Sequence, residues 1–148
     1  MRAHKAKAAL LVGAGVALAA AAVPAPASAS SEQPAQTRVA AIDCTGQPQV
    51  RPGNFMLACG DGNNVLDSLR WSQWQPQSAV AEGNDLVNDC QPDCADGHFH
   101  SYRVHVQLDN PQLRPGHPGQ WQYTRLTLTY AGDRPADTPR VVTSKLWS

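Results

Sequence analysis

The sequence predicts a small all-β domain, an antiparallel β-sandwich held by two disulfides, and three observations predict it. Two segments in the C-terminal half alternate apolar and polar residues with a period of two. No stretch beyond the leader keeps a helical period for a useful length. Four cysteines, an even number, follow an export-type leader and read as two cystines.

The leader comes first. Arg2, Lys5 and Lys7 precede an apolar run over residues 8–23, which Pro24 and Pro26 interrupt. That pattern is a secretory signal peptide, and Ala27-Ser28-Ala29 places its cleavage before Ser30. The expected mature chain has 148 − 29 = 119 residues, enough for one domain, and has no membrane segment. Removing three bases from 12, against 12 acids, leaves a net charge of −3. The charge is uneven: residues 42–97 carry eight acids and two bases, residues 98–148 three acids and six bases. No basic stripe of the kind that tracks phosphates is present, which excludes a nucleic-acid binder.

Residues 30–41 (SSEQPAQTRVAA) are polar and aperiodic, so they read as a flexible lead-in, with a single domain over 42–148. Short strands are expected at 49–51 and 54–58 around the Pro52-Gly53 turn. Gly60-Asp61-Gly62-Asn63-Asn64 forms a tight turn, because glycines and amides tolerate positive φ. It lacks the acids of a calcium loop. Residues 65–74 (VLDSLRWSQW) read as a strand. Residues 78–82 form another that ends at Gly83, after which 84–89 lead back to an acidic stretch.

Beyond Gly97 the alternation is clear. Tyr102, Val104, Val106 and Leu108 share one face of a strand over 98–109. A second such strand has Leu126, Leu128 and Tyr130 on one face and Tyr123, Arg125, Thr127 and Thr129 on the other. Residues 109–120 (DNPQLRPGHPGQ) contain three prolines and two glycines and read as the connecting loop. A last strand falls near 140–146.

Four cysteines allow three pairings. Proximity and the enclosed turn residues favour Cys44 with Cys59 and Cys90 with Cys94. Closing the larger ring is worth roughly 3 kcal/mol on the chain-entropy model, while the smaller mainly fixes a local turn. The alternative use of Cys90 and Cys94 is zinc, with His98 and His100 completing a C-x3-C-x3-H-x-H set. An oxidising compartment and an unfamiliar spacing argue against it. A softer metal set of Asp93, Asp96, His98 and His100 leaves the cysteines oxidised. The acid series Asp85, Asp89, Asp93 and Asp96 also resembles a glycosidase pair or calcium site, although a small sandwich has little room for a sugar cleft. Trp71 and Trp74 are candidate ligand-binding residues, as stacking platforms for sugar; the competing reading buries them in the core. No G-x-S-x-G nucleophile motif occurs and no catalytic residue is assigned.

The segments Cys59-Gly60-Asp61-Gly62-Asn63, Trp71-Ser72-Gln73-Trp74 and Asn88-Asp89-Cys90-Gln91-Pro92-Asp93-Cys94-Ala95-Asp96-Gly97 together resemble a family of small secreted actinobacterial proteins of uncharacterised activity. The resemblance covers residues 42–135 and implies export and a compact β domain, with no activity to transfer. The resulting expectation is a secreted, non-enzymatic interaction module of the cell envelope or medium, without cofactor. Its partner would be an extracellular protein or a cell-wall glycan. An extracellular protease inhibitor and a small metal-dependent hydrolase are the alternatives; for the inhibitor, residues 91–93 or 109–120 would supply the exposed loop.

Overall fold

The computed structural model describes residues 39–146; the expected signal peptide and most of the lead-in lie outside them. Eight strands are described: β1 (Val39–Ile42), β2 (Pro48–Gln49), β3 (Phe55–Met56), β4 (Asn64–Trp74), β5 (Ala79–Asn88), β6 (Phe99–Leu113), β7 (Trp121–Tyr130) and β8 (Val141–Lys145). The domain is all-β, and both expected disulfides, Cys44–Cys59 and Cys90–Cys94, are present.

The strands do not divide into the two hydrogen-bonded sheets of the expected sandwich. They join in one path, β2-β1-β7-β6-β5-β4-β3, with β8 added beside β7. All neighbours are antiparallel except β1 and β7, which run parallel through Val39↔Trp121 and Ala40↔Gln122. The outer edge of β7 is therefore shared: β1 takes its first residues, and β8 takes Arg125 to Thr129. The sheet curls on itself. Although β1 and β4 are separated by three strands along the path, the Trp74 indole N–H donates to the Val39 carbonyl at 2.9 Å.

Curling lets one face of the sheet act as its own core. Val104, Val106 and Leu108 on β6, Leu126 and Leu128 on β7, and Ala79 and Ala81 on β5 are buried there in register. The small residues on β5 leave room for Trp71 and Trp74, which pair with Ala81 and Ala79. Each valine or leucine so enclosed contributes about 1.5–3 kcal/mol.

Four departures from the sequence reading have physical causes. First, order begins at least three residues before Ile42, because Val39-Ala40-Ala41 is a strand buried along its whole length. Second, Gly83 does not end a strand but lies inside the continuous β5. A Cβ there would come within 2.8 Å of the Asp67 carbonyl and 2.9 Å of Leu69 Cδ2, so glycine admits the bulge at Asp67/Arg70 in β4. Third, β6 runs on through Asn110-Pro111-Gln112 to Leu113, which shortens the expected loop to residues 114–120. Pro111 is tolerated because β5 pairs with β6 only as far as Leu108, leaving that side an edge. Fourth, Tyr123 is fully buried rather than outward with Arg125. The phase slips at the facing pair Asn110 and Thr124, where Asn110 has a φ of 53° and its side-chain amide donates to Thr124 Oγ1 at 2.7 Å.

Candidate functional site

The curl leaves a cleft of about 520 Å³ between the β3–β4–β5 side of the sheet and the β8 side. Leu57 and Val87 line one wall, and Leu126, Leu128 and Val142 the other. Pro135 and Thr138, from the β7–β8 connection, line it as well, and Lys145 stands at the exposed rim. Its volume is within the range of small-molecule sites, which are mostly apolar with a few convergent polar groups.

The convergent groups here are Asp85, Tyr130 and Asn64. Asp85 takes the inward phase of β5 set by Ala79 and Ala81 and is 2% exposed. Its Oδ2 accepts from the Tyr130 hydroxyl at 2.6 Å and its Oδ1 from Asn64 Nδ2 at 2.5 Å. The Asn64 amide also donates to the Leu86 carbonyl at 3.2 Å. One carboxylate thus ties β4, β5 and β7 across the concave face. Burial pushes the Tyr130 hydroxyl well above the usual phenol range, and the Asp85 carboxylate beside it adds to the shift. Tyr130 consequently stays a hydrogen-bond donor. Among the described residues the ion pairs are His100–Asp89 and Arg125–Asp109, and neither includes Asp85.

The acidic turn has a different organisation. Asp89 Oδ1 accepts from the backbone amides of His98 and Gln91 at 2.9 and 3.1 Å, and its Oδ2 lies 2.8 Å from His100 Nε2. The His100 hydrogen bond, followed by the two amides, holds the Asp89 carboxyl well below the usual range. Asp93 turns inward to accept from the amides of Ala95 and Asp96 at 2.9 and 3.1 Å. Asn88 closes the turn from below, donating to Asn63 Oδ1 and the Cys94 carbonyl while accepting from the Cys90 amide. Gly97 is required there, since a Cβ would lie 2.1 Å from Asn88 Oδ1.

Among the described residues this geometry assembles neither candidate metal set, and the cystine is the pairing the sequence favours. Cys90 and Cys94 are joined as cystine and hold no zinc with His98 and His100. Asp93, Asp96, His98 and His100 are not gathered, and the described residues contain no group of three or more His, Cys, Asp or Glu placed to hold a metal ion. The reason is local: the Asp93 carboxylate caps its own turn, and His100 reaches Asp89 instead.

Trp71 and Trp74 are half-buried against the core and meet edge to face with ring centroids 4.6 Å apart. Trp74 makes a second such contact with Tyr123, at 5.5 Å. Each indole N–H goes to a backbone carbonyl, Trp71 to Pro52 at 2.7 Å and Trp74 to Val39 at 2.9 Å. Through these contacts both indoles fasten the curl. Burial pushes the neighbouring Tyr123 hydroxyl up to about 12, and it donates to the Gln75 carbonyl.

Sequence reasoning grouped Asp85 with the wrong partners. The signal that could have separated it is phase: Ala79, Ala81, Gly83 and Asp85 share one face of a strand, while Asp89, Asp93 and Asp96 lie beyond its end. Asn64 and Tyr130 carry no local signal: Asn64 reaches Asp85 diagonally across the β4–β5 pair, where Leu66 faces Asp85, and Tyr130 reaches it from β7 across β6. Comparison with protein-family models, curated proteins and solved structures finds no match for this chain.

Proposed function

We propose that the chain is a secreted, non-enzymatic interaction module of the cell envelope or medium that receives its ligand in the cleft between β5 and β8. The cleft carries the reading: it has apolar walls and a single buried polar cluster whose members are hydrogen-bonded to one another. Fixed polar groups in an apolar enclosure suit orientation of a ligand. Two disulfides fit an oxidising compartment. No described helix is long and apolar enough to cross a membrane.

Nile red, a neutral dye that brightens in apolar surroundings, tests the cleft. The expected result is saturable brightening by the folded protein, lost in Val142→Phe, which narrows the cleft from β8, at an unchanged unfolding midpoint. Saturable hydrolysis of a substrate by the purified protein, abolished by Asp85→Asn, would overturn the non-enzymatic reading. Absence of dye binding would remove the cleft as the binding surface.

A further inference from the structure

We infer that the cleft beside Asp85 takes a small amphiphile with a protonated amine on an apolar stem, a ligand class that rests on the cleft being the binding surface. Asp85 is 2% exposed as a residue yet lines the cleft. Its two hydrogen-bond partners, the Tyr130 hydroxyl and the Asn64 amide, are neutral donors that bring no countercharge. Neither ion pair among the described residues neutralises it. A buried carboxylate without a cation is costly in apolar surroundings. After one bond to each oxygen, both retain acceptor capacity for a further donor.

An ammonium head satisfies that remaining capacity and supplies the missing charge. The stem then lies between Leu57 and Val87 on one side and Leu126, Leu128 and Val142 on the other. Lys145 is a countervailing base, but it is exposed at the rim, where solvent and salt screen it. It weakens the attraction without cancelling it. An anionic amphiphile would have to place its head at this screened rim and leave Asp85 uncompensated beneath its stem.

Calorimetric titration of the full, oxidised chain with n-octylamine, n-octanol and octanoate separates these cases. Octylamine is expected to bind at least roughly tenfold more tightly than octanol, the worth of a charge-assisted hydrogen bond, and octanoate more weakly still. Asp85→Asn should bring octylamine to the octanol level. Should that variant fail to fold, Lys145→Ala keeps the test open, because removing the rim base should raise octylamine affinity by about twofold. Equal binding of octylamine and octanol overturns the amine assignment and leaves the cleft as a binding surface, whereas no binding by any of the three overturns both. Tighter binding of octanoate overturns the assignment of charge. Tighter binding of Nα-acetyl-lysinamide than of octylamine overturns the free amphiphile in favour of a partner protein's lysine.

Discussion

Asp85 and Asp89 are four residues apart, and both accept hydrogen bonds through both oxygens, yet they belong to opposite kinds of region. Asp89 is supplied by two backbone amides of its own turn and by His100 at the start of the strand the turn leads into, in contact with solvent. Asp85 is supplied by side chains from two other strands and is enclosed by apolar walls. The difference shows that counting partners does not distinguish a structural carboxylate from a candidate site. What distinguishes them is where the donors come from and whether the charge has been answered. A turn that supplies its own donors is complete, whereas a buried carboxylate answered only by neutral groups is open to a ligand.

The comparison is tested most severely by Asp85→Ala, which strands the Tyr130 hydroxyl and the Asn64 amide. Urea unfolding should show a loss of about 3 kcal/mol; a loss as small as that of Asp89→Ala would erase the distinction. Next comes the double change Cys90→Ser with Cys94→Ser, which opens the small ring. The chain-entropy model gives a loss of about 2 kcal/mol by the same measurement. Nile red binding should remain, since the turn lies outside the cleft, and loss of dye binding would show the two regions to be coupled. Tyr130→Phe keeps the ring and removes one donor to Asp85, so a loss of about 1.5 kcal/mol is expected.

The smallest effect separates the regions by pH. Asp89 and Asp43 both have folded values below the ordinary 3.8; for Asp43 the value is about 2, set chiefly by the Gln47 amide and then the Thr45 hydroxyl. A lowered folded value means that the charged form stabilises the fold. That contribution is complete above the unfolded value, shrinks as pH falls below it, and for Asp43 is gone below about pH 2. Melting temperature should therefore fall with pH below about 4, and Asp43→Asn with Asp89→Asn should flatten that limb. An unchanged limb would show that neither exposed turn contributes to acid stability.

The extent of what can be read from sequence follows the same division. Local chemistry was legible: alternation placed Val104, Val106, Leu108, Leu126 and Leu128 in the core, and sequence proximity chose both cystines. Features set by a neighbouring strand were not. Pro111 looked like a loop residue because its edge position is set by where β5 ends, and Gly83 looked like a terminator because the bulge it accommodates lies on β4. Tyr123 was placed outward because a period of two assumes an unbroken phase, and Asn110 with its positive φ marks the break. The site itself required three strands to meet. His98 and His100, adjacent to acids in sequence, looked more like ligands than Asn64 and Tyr130 did.

The parallel pairing of β1 with β7 bears on the order of events during synthesis. Val39 meets Trp121, a separation of 121 − 39 = 82 residues, whereas β4 to β7 can form as successive hairpins. Contacts so distant along the chain form late, because loop closure must precede them. The first of the described strands therefore waits for β7, and a chain released before residue 121 offers β1 no partner there. The curled sheet thus closes only once nearly the whole chain is free, so its assembly is timed by the emergence of the seventh strand rather than the first.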